Sequence, residues 1–195
     1  MFERFTDPVT LIRLAKEGDM ARLRKLISGG CRLDRRTGLD PWMTPLDAAS
    51  AAGNPECVEV LLSGGAPLWG SSIYEAIKVD AEAVLHVFHR HDKEFYRSFS
   101  KDKDFCANPR LNRWLLLFTA LDFALSLGSK KCSAFLETLG ASKKQSIKQC
   151  RNGCLAVLIE EESFLIRGGT NIDGRAEVTE GYYCAKCEAF LRGAM

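Results

Sequence analysis

The side chains best suited to chemistry in this 195-residue sequence are its eight cysteines. Four of them form two close pairs, Cys150 with Cys154 and Cys184 with Cys187, and 29 residues separate the pairs. Each pair lies at a predicted turn, where one loop presents two thiolates to the same ion. Four thiolates in tetrahedral geometry suit Zn²⁺ in a closed structural site. We therefore expect one structural zinc ion at these four cysteines.

Two other uses of the paired cysteines stay open. Cys184 and Cys187 form a C-x-x-C pair of the redox type, although no thioredoxin-like βαβ pattern precedes it. Alternatively, all four thiols pack unligated against the last helices of the preceding domain. The other four cysteines are scattered singly, and an intracellular chain keeps its thiols reduced, so we do not expect a disulfide scaffold. These four singly placed cysteines are Cys31, Cys57, Cys106 and Cys132.

No catalytic motif accompanies these cysteines. The sequence has no GxSxG, no phosphate-binding loop and no GxGxxG. Its three histidines, His86, His89 and His91, lie close together but without the HExxH pattern. We interpret them as a solvated helix face, with a metal site as the alternative. The chain is therefore not expected to be an enzyme.

Composition indicates a folded protein with little net charge. Apolar residues make up 46% and charged residues 27%, which excludes wholesale disorder. A formal charge of +2 gives no argument for nucleic acid or an acidic membrane surface. The longest apolar runs, 114–118 and 155–159, are far shorter than the roughly 20 residues of a membrane span, and no apolar signal-peptide core is visible. We expect a soluble, cytoplasmic protein with no membrane partner.

A helix–turn–helix pattern precedes the cysteine pairs. Thr44 is a good N-cap, and Pro45 occupies the first helical position, where its missing N–H costs nothing. Gly53 ends this short helix, and a second helix with apolar residues at helical spacing follows and stops at residues 64–65. Such a unit cannot bury its apolar face alone and has to be stacked on others.

This segment resembles the ankyrin repeat. The matching positions are Thr44, Pro45, Leu46, Ala49, Gly53, Val58, Leu61, Leu62, Gly65 and Ala66. The same frame recurs without gaps at Thr119, Leu121, Ala124, Gly128, Phe135, Leu136, Gly140 and Ala141. Asp47 and Asp122 stand where the family usually has His, and we expect this change to weaken hydrogen bonding between adjacent repeats. At Gly128 we expect a positive φ and no room for a branched side chain.

Two weaker copies, near 9–31 and 71–92, complete the pattern. With the copies at 44–66 and 119–141 they predict a mainly α fold, an ankyrin-repeat solenoid of four repeats within residues 1–142 with an insertion at 93–117. An unrelated helical bundle is the alternative. Residues 143–195 are predicted to form a small β segment with strands at 155–159, 163–167 and 176–183. This segment resembles a zinc ribbon, apart from the C-x3-C spacing of its first pair.

The resemblance to ankyrin repeats implies binding to another protein through loop tips and the concave face of the first helices. Tips rich in Trp, Tyr and Arg are typical of interfaces. Alternatively, Trp42 and Trp69 fold back onto the solenoid. The aromatic and basic insertion at 93–117 either binds an acidic protein or single-stranded nucleic acid, or packs against the side of the stack. The candidate partner-binding residues are Arg35, Arg36, Asp40, Trp42, Asp47, Trp69 and Tyr74.

These patterns predict a non-catalytic protein–protein interaction module for one partner. A bacterial immunity or inhibitor-type protein fits this prediction, as does a small adaptor. The alternative is a nucleic-acid-binding regulator assisted by the zinc-ribbon-like segment. Residues 145–195 carry six basic and seven acidic residues, which is the wrong sign for a phosphate-binding surface. Nucleic acid is therefore the less favoured partner.

Overall fold

Residues 8–36, 43–97 and 119–143 are described in full by a computed structural model, which also gives the backbone of four C-terminal strands. Eight α-helices in these residues form four consecutive pairs, and one pair coincides with each predicted copy, so the mainly helical prediction is confirmed. The pairs are α1 (Pro8–Glu17) with α2 (Met20–Ser28), α3 (Pro45–Ala51) with α4 (Pro55–Ser63), α5 (Gly70–Lys78) with α6 (Glu82–His91), and α7 (Ala120–Leu127) with α8 (Lys130–Thr138).

Reciprocal capping boxes begin two of the helices. The backbone N–H of Thr44 donates to Asp47 Oδ2 at 2.9 Å, and the N–H of Asp47 donates to Thr44 Oγ1 at 3.0 Å. Thr119 and Asp122 make the same pair of bonds at the start of α7. Because the capping box satisfies two N–H groups at each helix start within three residues, local sequence favours the beginning of these helices.

Left-handed residues end the first helix of each pair. Gly128 has φ +72°, as expected, but a Cβ there would meet no atom within 4 Å. The expected lack of room was therefore wrong, and the left-handed backbone alone favours glycine at this position. Asp80 takes the equivalent place in the third pair, with φ +53°. Its carboxylate accepts the N–H of Cys132 at 2.9 Å, which caps α8 from the neighbouring pair.

The helix pairs stack in two layers. An inner layer is formed by α1, α3, α5 and α7 in sequence order, and an outer layer by α2, α4, α6 and α8. The apolar core lies between the layers and includes Phe88 and Phe123, both fully buried. Ser129 Oγ donates to the carbonyl of Ile77 at 2.7 Å, so the last two pairs are in direct contact despite the insertion between them.

The described start of the insertion packs against the outer layer. A 3₁₀ helix, Phe95–Arg97, follows α6. Phe95 is fully buried against Phe88, with 5.9 Å between the ring centroids, and the Tyr96 hydroxyl donates to the carbonyl of Leu139 at 3.1 Å. These two aromatic residues therefore pad the stack. The rest of the insertion, from residue 98 to 118, lies outside the described residues.

Four strands form an antiparallel sheet in the order β1 (Ile147–Gln149), β2 (Leu155–Ile159), β3 (Gly181–Cys184) and β4 (Ala189–Arg192). The strand predicted at 155–159 coincides with β2, and the end of the one predicted at 176–183 falls in β3. No strand was predicted at β1 or β4, because short runs carry little period-two signal. The strand predicted at 163–167 lies outside the described residues.

Candidate protein-binding surface

The segment after α2 presents a cluster of arginines. Arg32 forms a bidentate ion pair with Asp34 at 3.0 and 2.6 Å, on the segment that leads to Arg35 and Arg36. The hydrogen bond from Arg32 is the main reason that the pKa of the Asp34 carboxyl is lowered. Two candidate partner-binding residues, Asp40 and Trp42, follow this segment and lie outside the described residues.

Arg36 and Trp69 are brought together although 32 residues separate them in the sequence. The guanidinium carbon of Arg36 lies 4.7 Å from the centroid of the Trp69 ring, within the range of a cation–π contact. Arg36 Nε and Nη2 are shielded from solvent and have no hydrogen-bond partner among the residues that the structure describes. Trp69 is half-buried and directly precedes α5. The guanidinium is therefore held against the Trp69 ring, and two of its three nitrogens have no acceptor within the described part of the chain.

Asp47 joins two repeats. Its carboxylate Oδ1 accepts the hydroxyls of Ser71 at 2.9 Å and Ser72 at 2.6 Å, and the residue is only 2% exposed. The expectation that Asp in place of His weakens bonding between adjacent repeats was wrong at this position, because the neighbouring repeat supplies serine donors. Since the carboxylate is occupied within the stack, we leave Asp47 out of the proposed binding surface.

Tyr74 also belongs to the contact between repeats. Its ring lies 4.6 Å from that of Phe123, centroid to centroid, and the residue is 7% exposed. Lys78 Nζ lies 5.7 Å from the centroid of the same ring. A partner would reach only the edge of Tyr74, so the accessible cation beside it, Lys78, is the better candidate for contact.

The C-terminal ends of the inner helices form a second accessible region that sequence reasoning covered only in part. At this end of α3, Ala51 and Ala52 directly precede the turn residue Gly53. The same frame positions in α1 and α5 are exposed too, and Val79 is 46% exposed. Applying the frame to every copy would have found them. These positions are Lys16, Glu17, Lys78 and Val79.

Glu75 lies beside this region on α5. The residue is half-buried, and burial raises the pKa of its carboxyl. The charge of Asp47 also raises this pKa, while Lys78 and Lys16 lower it. The positive charges of Lys16 and Lys78 therefore offset only part of the effect that desolvation has on the pKa of Glu75.

Two of the described cysteines are buried in the helical stack. Cys57 and Cys132 are fully buried free thiols, and burial raises the pKa of both, which makes them poor nucleophiles. Cys57 Sγ lies 3.2 Å from Met20 Sδ. Of the predicted zinc ligands, Cys150, Cys154 and Cys187 lie outside the described residues, and Cys184 ends β3. Among the residues that the structure describes, no group of three or more His, Cys, Asp or Glu residues could hold a metal ion.

Comparison with known proteins supports the repeat assignment. The ankyrin repeat family model matches residues 42–69, which span α3, α4 and the chain as far as Trp69. A search of curated proteins finds no match. The matched repeat and the stacked helix pairs support an ankyrin-repeat protein, a class whose repeats typically bind protein partners. None of the described helices is long and apolar enough to cross a bilayer.

Proposed function

We propose that this chain is a non-catalytic module that binds one partner protein through a surface made of Arg35, Arg36, Trp69 and the exposed ends of α1, α3 and α5. The observation that carries the proposal is the stacking of Arg36 on Trp69. Trp and Arg are the residue types most enriched among those that dominate interface energies. A partner carboxylate beside the guanidinium of Arg36 would pair with its positive charge.

The module acts by occupying or tethering its partner. An inhibitor or immunity-type protein works by covering a functional surface, and an adaptor works by holding one. Both roles need a rigid platform, which the contacts between consecutive helix pairs supply. Partner identity separates them: capture of a toxin-like enzyme would assign the inhibitor role, and capture of a scaffold or signalling protein would assign the adaptor role.

Affinity capture with matched variants tests the surface. Trp69→Ala should weaken partner binding by at least about 2 kcal/mol, roughly 30-fold, as the loss of a central interface aromatic does. Arg36→Ala should weaken it by about 1 kcal/mol. The control is Arg24→Ala, an exposed arginine on the outer helix α2, which should leave the affinity unchanged.

Equal capture by all three variants and the unaltered chain would place the interface elsewhere. The lysate is treated with nuclease in a parallel sample, because RNA or DNA carried with the chain would favour the alternative of a nucleic-acid-binding regulator. Circular dichroism of each variant checks that the helical stack is retained.

A further inference from the structure

Acidic residues on the candidate surface are largely paired within the chain itself. Glu17 at the end of α1 forms an ion pair with Arg13 at 3.1 Å, and Asp34 forms one with Arg32 at 2.6 Å. Asp47 is buried and accepts two serine hydroxyls of α5. These three carboxylates therefore offer little free negative charge to a binding partner.

Three cations on the same surface lack such a pairing. Lys16, Arg36 and Lys78 form no ion pair with any residue that the structure describes. Arg36 lies on Trp69, the residue before α5, whereas Lys78 is the last residue of α5. A helix of nine residues is about 14 Å long, so positive charge marks both ends of α5. Lys16 adds a third positive charge at the exposed end of α1.

Glu75 lies between these charges, about one helical turn before Lys78 on α5. It is half-buried, and its carboxylate has no hydrogen bond and no ion pair within the described part of the chain. Burial is the main reason that the pKa of Glu75 is raised; Asp47 on α3 raises it further, while Lys78 and Lys16 lower it. Among the described residues of α6 and α7, which also pack against α5, no charged group contributes to the change in this pKa.

We propose that the partner protein meets this face with an acidic surface, and that Glu75 binds a proton as the complex forms. The proposal rests on the proposed function, because it concerns the same surface. Partner carboxylates would complement the charges of Lys16, Arg36 and Lys78. The same carboxylates would approach Glu75, where a like charge favours the neutral acid.

The direction of the pH dependence follows from the position of Glu75. In the free chain, burial already raises the pKa of this carboxyl. In the complex, the partner removes more water and adds negative charge, and both effects raise the pKa again. Because the complex then holds the proton more tightly than the free chain does, the affinity must increase as the pH falls from neutrality. The increase ends once Glu75 is protonated in the free chain as well.

A protein fits this face better than a nucleic acid does. The accessible end of α3, which packs between α1 and α5, consists of Ala51 and Ala52, so an apolar strip separates Lys16 from Lys78. Apolar and charged groups occur side by side on a protein surface, whereas a nucleic acid presents a continuous row of phosphates. Alanine side chains offer contacts to the apolar groups of a protein but none to phosphates.

Selection of peptides tests the charge of the partner without knowledge of its identity. A display library of random peptides is panned against the immobilised full chain at neutral pH and low salt, where exposed charges are least screened. The enriched peptides should carry net negative charge, and the Trp69→Ala chain should retain few of them. Enrichment of basic peptides, or of none, would overturn the proposal. So would an oligothymidine that binds the unaltered chain more tightly than an enriched peptide of equal charge.

An enriched acidic peptide is then used to measure affinity by fluorescence anisotropy. Between pH 7.5 and pH 5.5, where ordinary carboxylates stay charged, the affinity should rise by about threefold or more. Glu75→Gln should lose this pH dependence and bind at pH 7.5 as tightly as the unaltered chain does in acid. Lys16→Gln and Lys78→Gln should each weaken binding by about threefold or more. Glu137→Gln, on the outer helix α8, is the control and should match the unaltered chain.

The outcomes separate this inference from the proposed function. If Trp69→Ala weakens binding but the affinity is the same at both pH values, Glu75 takes up no proton and that part of the proposal is wrong, while the proposed function stands. A higher affinity for Lys16→Gln or Lys78→Gln would show that the face does not bind an acidic surface. If Trp69→Ala and both lysine variants bind as the unaltered chain does, the interface lies elsewhere and the proposed function fails as well.

Discussion

The half-buried carboxyl group of Glu75 makes folding stability depend on pH. It lies on α5, and burial is the main reason that its pKa is raised. The folded chain therefore holds a proton at Glu75 more tightly than the unfolded chain does. Between the ordinary glutamate pKa of about 4.3 and the raised value, folding stability must fall as pH rises. Above the raised pKa the loss is complete.

Replacing Glu75 by Gln should remove this pH dependence. At neutral pH, Glu75→Gln should raise the melting temperature, because no charge is left to desolvate. As the pH falls toward the ordinary glutamate pKa, the difference between the variant and the unaltered chain should close. The measurement is thermal unfolding by circular dichroism from pH 4 to pH 7.

Glu137→Gln provides the matched control, since Glu137 is exposed on α8. The melting temperature of Glu137→Gln should not be raised at neutral pH relative to its value in acid, because an exposed carboxylate is not desolvated. A gap for Glu75→Gln that stays constant across the pH range would mean that Glu75 is not the desolvated acid that its position on α5 indicates.

At the scale of elements, Asp47 links two inner helices through one carboxylate. It closes the capping box of α3 with Thr44 and also receives both serine hydroxyls at the start of α5. One carboxylate therefore starts one helix and positions the next. The loss of such a group leaves several donors without an acceptor in a buried place.

Asp47→Ala should lower the free energy of unfolding by about 2–4 kcal/mol, because the Thr44 N–H and the two hydroxyls lose a charged acceptor. Asp47→Asn is the matched variant: it keeps one oxygen for the serines and should cost about half as much. Urea unfolding measures both. If Asp47→Ala costs less than about 1 kcal/mol, the bonds between α3 and α5 contribute little to the stack.

At the scale of the whole molecule, the question is whether the helix pairs unfold together. Cys57 in α4 and Cys132 in α8 lie two pairs apart, and both are fully buried. The links between α5–α6 and α7–α8 include the Ser129 and Asp80 hydrogen bonds. Continuous contacts of this kind make the stack cooperative.

We expect Cys57 and Cys132 to become reactive toward a thiol reagent with opening free energies that agree within about 1 kcal/mol. Labelling at increasing urea concentrations, followed by peptide mass spectrometry, measures each site separately. Half-buried Cys31 is the internal control and should label in the folded chain. Labelling of Cys132 at much lower urea than Cys57 would show that the last pair opens independently.

Sequence reasoning identified the helix pairs because their boundaries are local. A capping Thr three residues before an Asp, a Pro at the first helical position and a residue that tolerates positive φ after the helix act within a few residues. Thr44 and Thr119 therefore predicted α3 and α7 without any knowledge of the fold. Asp80 weakened the third copy as a pattern, although its backbone takes the same left-handed conformation as the glycines.

Part of the candidate surface could also be predicted from the repeat frame. The segment with Arg35 and Arg36 and the position of Trp69 follow from the repeat frame. The frame says nothing about which tip residues touch one another, however, because an arginine and a tryptophan separated by a helix pair meet only after stacking. For the same reason it placed Tyr74 on the surface, whereas Phe123 of the next pair covers its ring.

The sequence by itself therefore determined the repeated helical unit, the places where helices begin and end, and the two cysteine pairs. Only the tertiary structure decided that Asp47 bonds the serines of the next helix pair, that Arg36 lies on Trp69, and that Phe123 covers the ring of Tyr74. The physical reason is range: caps and turns are satisfied by neighbours in the chain, whereas burial, stacking and strand register depend on groups that only the folded chain brings into contact.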